Sequence, residues 1–314
     1  MNIRFVSPVW LLALCVVLTV LSCKPQPNKE LLYDSPSHGS INISVDESFR
    51  PVIEEQIAMY QASYPGTVIN AQFKTEAECF RDFFRDSSNR VIIVTRRLDE
   101  KEEKYMKDSL NYFPGFDLVA TDAIAIVLHK DNPDTLLTLA RLRDQLTGKI
   151  YRDQKIVFDG LSATSNVRFV IDSILKGSSF DTSIVKATKT SKEVLEFVAN
   201  DPKAVGFVGI NWIGNPEVKE QVAMLKRVKL AYVECSVCDS TPFVKPVQES
   251  IVSRRYPLVR GLYFIKKENF YGLGTGFVNF LKNERGQLIF RRAYLGPIME
   301  LGIRNVIINE KLPD

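Results

Sequence analysis

An α/β fold built on largely parallel sheets is what the sequence predicts, and two observations predict it. Short apolar runs alternate with segments of helical apolar spacing along most of the chain. The runs at 91–94 and 123–128 are continuous instead of alternating, as expected of strands covered on both faces. There is no internal repeat and no low-complexity tract.

The elements follow in order. Residues 41–45 read as a strand, and Ser48 then stands as the cap of a helix with Pro51 in its first turn and Phe49, Ile53, Ile57 and Tyr60 at helical spacing. Pro65-Gly66 ends that helix, and 68–73 alternate as a second strand. Thr75-Glu76-Ala77-Glu78 has the form of a capping box, opening a helix whose apolar face is Ala77, Phe80, Phe83 and Phe84. The strand 91–94 follows, then Thr95-Arg96-Arg97 and a charged helix. The apolar strand 123–128 leads to Asn132-Pro133 and a helix carrying Leu139, Leu142 and Leu146 on one side. Residues 155–158 form the next strand, and Asp159-Gly160-Leu161-Ser162-Ala163-Thr164-Ser165 turn into a helix with Val167, Val170, Ile171 and Ile174 inward. The run 204–210 is a strand whose glycines mark close backbone passage.

The first 22 residues read as a secretion leader: Arg4 gives a basic start, an apolar stretch begins at Trp10, and Ser22-Cys23 closes it. Ser22 before Cys23, with Val20 and Leu21 upstream, resembles a bacterial lipobox, which implies acylation of Cys23. An ordinary cleaved leader and an uncleaved anchor are the alternatives, and Ser7-Pro8 cut the apolar run short of the roughly 20 residues a membrane span needs. Residues 23–40, polar and proline-containing, are expected to be a tether. The formal net charge of +4 gives no case for nucleic acid, so any anion site has to be local. Among five cysteines and two histidines, His38 and His129, there is no second cysteine pair to complete a metal site. Cys235-Ser-Val-Cys238 has the spacing of a redox or zinc half-site, against which stands a local disulfide or a pair of inert thiols.

Four strand ends carry small hydroxyl residues that open helices: Ser48, Thr75, Thr95, and the group Ser162, Thr164 and Ser165. A helix start leaves backbone N–H groups unpaired and partially positive, so hydroxyls placed there make an oxyanion cradle. Each alone reads equally as a plain cap, and the argument lies in four of them on one edge of a parallel sheet. Arg96, at the end of a buried strand, is placed to grip a tetrahedral anion bidentately, or else to pair with Glu100 or Glu102. Asp122, ahead of the crossing strand, offers a proton acceptor that would admit a protonated anion and reject sulfate, or else a hinge hydrogen-bond acceptor. No G-x-S-x-G, no G-x-x-x-x-G-K-[ST] and no nucleophile with an evident base is present, so a binding function is expected and not an enzyme.

Taken in order, Asp122-Ala-Ile-Ala-Ile-Val-Leu128, Asn132-Pro133, Ser162-Ala-Thr164, Ala204-Val-Gly-Phe-Val-Gly209, Tyr256-Pro-Leu-Val-Arg260-Gly-Leu-Tyr263, Phe277-Val-Asn-Phe-Leu281, Gly286-Gln287 and Tyr294-Leu-Gly-Pro297 resemble the phosphate-binding proteins of phosphate ABC transporters, a type II periplasmic solute-binding family. The resemblance implies two α/β lobes, 41–121 plus 246–314 and 122–245, each a mostly parallel sheet flanked by helices. It implies a monomer, lipid-anchored on the periplasmic side of a bacterial membrane, that holds inorganic phosphate or a similar oxyanion without cofactor or metal and passes it to a permease. Carried over by residue, Ser48 and Phe49 match the first-loop ligands, Thr75 the second, Thr95 and Arg96 the third, and Ser162, Thr164 and Ser165 the turn of the second lobe. Two departures stand out: Ala163 replaces the turn glycine, and Phe158-Asp159 stand where the family has an arginine. Loss of such a charge-assisted contact weakens binding by about 1.5 to 3 kcal/mol.

Overall fold

The structure is a computed structural model that describes residues 34–150, 153–239 and 242–301. The leader, Cys23 and most of the tether lie outside the described residues.

The strands, in chain order, are β1 (His38–Asp46), β2 (Gly66–Lys74), β3 (Asn89–Val94), β4 (Gly115–His129), β5 (Leu136–Leu137), β6 (Lys155–Phe158), β7 (Val185–Ala187), β8 (Ala204–Gly209), β9 (Val228–Leu230), β10 (Tyr232–Glu234), β11 (Phe243–Val244), β12 (Val259–Lys266) and β13 (Gly296–Pro297). The large sheet has the order β2-β1-β3-β12-β4-β8-β6-β7, with β9 and β13 also paired to β4, and helices flank it. A small sheet, β11-β10-β5, sits apart, and a disulfide joins Cys235 to Cys238 just beyond β10.

The longest strand, β4, organises everything else. Its first part pairs with β12 and its second part, from Ile124, with β8 and β9. Ala123, Ile124, Ala125, Ile126, Val127 and Leu128 are all fully buried, which explains the unbroken apolar run. The sequence expectation of a strand over 123–128 was too short, because 115–122 are mixed in character and their strand is set by pairing with β12 far along the chain.

Strand direction places the site. β1 and β3 are parallel to each other, and β12 is antiparallel to both β3 and β4, so β1, β3 and β4 all run the same way, toward the middle of β4. β8 is antiparallel to β4 and parallel to β6, so these strands run back toward the same point. The carboxyl ends of the two sets therefore face one another at the junction near Asp122, where β12 begins with Val259 and Arg260.

Local chemistry sets the helix starts, with one correction. Asp46, and not Ser48, caps the chain after β1: its carboxylate accepts from the Ser48 N–H at 3.0 Å, and Glu47–Phe49 form a short 3-10 turn before helix α1 (Arg50–Ser63) with Pro51 in its first turn. Thr75 opens α2 (Glu76–Arg85) through the expected capping box with Glu78. The buried face of α2 is Glu76, Cys79, Phe80 and Phe83; Ala77 is exposed, because Glu76 turns inward to a polar partner set. Gly206 in β8 is needed for close approach, since a Cβ there would lie 2.7 Å from Val194 and Val198.

Candidate functional site

At the junction, polar side chains from both strand sets meet in the protein interior. Asp159 directly follows β6, and both of its carboxylate oxygens accept hydrogen bonds. Thr164 Oγ1 donates to Oδ1 at 2.9 Å, and Asn166 Nδ2, Ser191 Oγ and Ser48 Oγ donate to Oδ2 at 2.7, 3.3 and 3.5 Å. Ser48 Oγ is also 3.3 Å from Ser165 Oγ. Only 4% of Asp159 is exposed, and Ser48, Ser165, Asn166 and Ser191 are fully buried.

Arg260 supplies the cation. It stands directly across from Asp122 in the β12–β4 register, and its Nε donates to Asp122 Oδ2 at 2.8 Å while Nη1 donates to Ser165 Oγ at 3.0 Å. The Phe49 ring lies 5.1 Å from the guanidinium carbon and walls this side. Arg260 Nη2, Asp122 Oδ1, Asp46 Oδ2 and Glu47 Oε1 are buried without a hydrogen-bond partner in the protein. Such unpaired groups are costly and collect at sites built to contact something else.

The surroundings are rich in carboxylates. Burial, reinforced by nearby Glu76, raises Asp46 to about 7; burial does the same to Glu47, against hydrogen bonds from Ser191. Desolvation also raises Asp122 and Asp159, opposed by Arg260 and by the donors on Asp159. Glu76 is buried too, yet Arg168 and Thr95 hold it below its ordinary value.

Several further bonds cross the junction. Ser191 N donates to Glu47 Oε2 at 3.3 Å, and Ser191 Oγ lies 3.1 Å from the same oxygen, so its one hydroxyl proton is shared between Glu47 and Asp159. Asn211 Nδ2 and Trp212 Nε1 both donate to the Ser48 carbonyl, at 2.8 and 2.9 Å. Arg168 Nε donates to Glu76 Oε2 at 2.6 Å and Nη2 to Thr95 Oγ1 at 2.7 Å. The Ala77 N–H reaches the Ala163 carbonyl at 3.2 Å.

Of the residues singled out in the sequence, the structure brings together Ser48, Thr164, Ser165 and Asp122, with Phe49 as a wall and Thr95 in the adjoining group around Glu76. The others make their contacts elsewhere. Thr75 spends its hydroxyl on Glu78, and Ser162 is exposed. Arg96 is pinned by Glu102 through two bonds, 2.6 and 2.9 Å, with its guanidinium 3.5 Å over the Phe80 ring, which is the surface pairing weighed against its ligand role. Sequence reasoning missed Arg260, Asn166, Ser191, Asp46, Glu47, Glu76, Arg168, Asn211 and Trp212. A signal existed for Arg260 alone: a guanidinium inside an otherwise apolar strand segment needs a buried partner.

Comparisons agree with this architecture. A substrate-binding protein with bound phosphate from Clostridium perfringens, assigned to phosphate ABC transport, superposes with a TM-score of 0.66 at 19% identity, over 83% of this chain and 100% of that one. An ABC-type phosphate transport receptor from Vibrio cholerae gives 0.59 at 19% identity, over 83% and 100%. PstS from Borrelia burgdorferi gives 0.52 at 18%, over 84% and 100%. At these identities the likeness is one of fold. No curated protein matches the sequence. The sequence profile of the PBP superfamily domain matches residues 34–285, and the chain belongs to that superfamily.

Proposed function

We propose that this chain is an extracytoplasmic solute-binding protein, tethered by a lipid on Cys23, that closes two lobes on a small oxyanion and delivers it to an ABC transporter permease. The proposed lobes are 41–121 plus 246–314 and 122–245, and the chain acts as a monomer. Phosphate is the first candidate ligand, in line with what the structurally similar Clostridium perfringens protein carries. One observation carries the reading: hydroxyls of Ser48, Thr164, Ser165 and Ser191 and the Arg260 guanidinium, from separate segments, gather at a point already shaped for carboxylate oxygens. These are donors that suit an oxyanion, and the ligand set we propose is Ser48, Thr164, Ser165, Ser191 and Arg260. The role is binding without covalent chemistry; His129 lies outside the cluster, beside Asp131, and His38 opens β1.

A second reading has its own observation. Because the gathered donors are bonded to Asp159, the fold also suits a sensing or scaffold lipoprotein that no longer takes a free anion. Calorimetric titration of the full chain with phosphate, sulfate, arsenate and an organic phosphate, carried to millimolar, separates the two. Saturable phosphate binding that weakens tenfold or more in Ser165→Ala and Arg260→Lys, and is unmoved by Arg96→Ala, supports the transport role. Silence with every oxyanion favours the scaffold.

A further inference from the structure

We infer that the Asp159 carboxylate is a built-in occupant of the oxyanion position, a tethered anion that competes with free ligand and holds the two halves of the junction together. The inference rests on the oxyanion-site reading above and adds what sits there and what that does to specificity.

The geometry is that of a bound ligand and not of a loop brace alone. A carboxylate that only organised its own turn would be satisfied by Thr164 and Asn166, five and seven residues along. Asp159 is also reached by the hydroxyl of Ser191, which starts a different helix (Ser191–Asn200) and shares its proton between Asp159 and Glu47, and by that of Ser48, which follows β1 on the opposite side of the junction. Both oxygens are used, and the residue is buried. Ser48 is held in turn from the Asp159 side by Ser165, Asn211 and Trp212. The carboxylate thus stands at the centre of the contacts that close the junction.

Two physical consequences follow. A tethered carboxylate acts at an effective concentration no dilute anion matches, so free phosphate has to displace it. The neighbouring Asp46, Glu47, Asp122 and Glu76 carboxyls oppose any added negative charge, and Arg260 and Arg168 are the cations bonded within the cluster, to Asp122 and Glu76. Phosphate affinity in the wild-type chain is therefore suppressed, and removing the Asp159 carboxylate should release it.

The test uses the full chain and its own reporter. Trp212 donates to the Ser48 carbonyl across the junction; the other tryptophan, Trp10, falls in the segment read as a leader and is unchanged in every variant. In Asp159→Gly the Trp212 emission should shift as the junction loosens, and formate and phosphate should each restore it saturably while chloride does not. Asp159→Asn, which keeps the side-chain shape, should bind phosphate at least tenfold more tightly than wild type. Saturable phosphate binding of equal affinity in wild type and Asp159→Asn overturns the built-in occupant and leaves the oxyanion site standing. Rescue of Asp159→Gly by formate but not phosphate supports the occupant and removes phosphate as the ligand. A folded Asp159→Gly whose emission no anion changes overturns both.

Discussion

Removing the Arg260 guanidinium is the sharpest way to ask whether the junction is an electrostatic unit. The side chains of Arg260 and Asp122 are 2% and 0% exposed and bonded at 2.8 Å, so Arg260→Met leaves a buried carboxylate without its cation. Breaking one side of such a pair costs about 3 to 5 kcal/mol, whereas replacing both sides with groups of similar shape is nearly neutral. Asp122 is already raised by burial against the pull of Arg260, and without the guanidinium it rises further and takes up a proton. That escape caps the loss: we expect about 3 kcal/mol at pH 8, shrinking toward pH 5 as Asp122 becomes neutral. Urea unfolding of both variants at the two pH values measures it through the midpoint at unchanged slope. Asp122→Asn combined with Arg260→Met should return to within about 1 kcal/mol of wild type. A loss under about 1 kcal/mol in the single variant, or no recovery in the double, would refute the buried-pair argument.

Three other outcomes are expected. Asp46 and Glu47 stand near 7 when folded against 3.8 and 4.5 ordinarily, so the native chain takes up protons that the unfolded chain has released; their contribution to stability falls as pH rises from about 4 to 7, by at most about 1.4 kcal/mol per pH unit for each group, and levels off above. Urea midpoints at pH 5, 6, 7 and 8 should decline, with a shallower decline in Asp46→Asn; a steady rise over that range contradicts the assignment. Arg168→Ala should cost about 2 to 3 kcal/mol in the same assay, because Glu76, 4% exposed, loses its charged partner, and Glu76→Gln in that background should recover part of the loss. Gly206→Ala should cost about 1 to 3 kcal/mol by crowding Val194 and Val198, and a neutral effect would mean that the helix 191–200 yields easily.

The elements legible in the sequence were those set by local chemistry. The Thr75 capping box needs only Glu78 three residues on, Pro51 marks the start of α1, and Lys155–Phe158 is bounded by its own apolar run. Ser48 was placed correctly along the chain but in another role, since either Asp46 or Ser48 could cap that turn and only the folded backbone decides. What escaped was set by distant pairing. The strand 115–122 takes its form from β12, and Asp122 meets Arg260 only because the register puts them opposite. Glu76 reads as a solvent-facing helix residue until Arg168, 92 residues later, reaches it. Arg96 is the reverse case, since a local partner, Glu102, takes the guanidinium before any distant anion can.

A crystal structure of the Asp159→Gly chain grown with phosphate is the most direct measurement. We predict tetrahedral density within hydrogen-bond distance of Ser48 Oγ, Ser165 Oγ and Arg260. A repacked junction with no room for the ion there, and phosphate absent or bound elsewhere, would contradict the account.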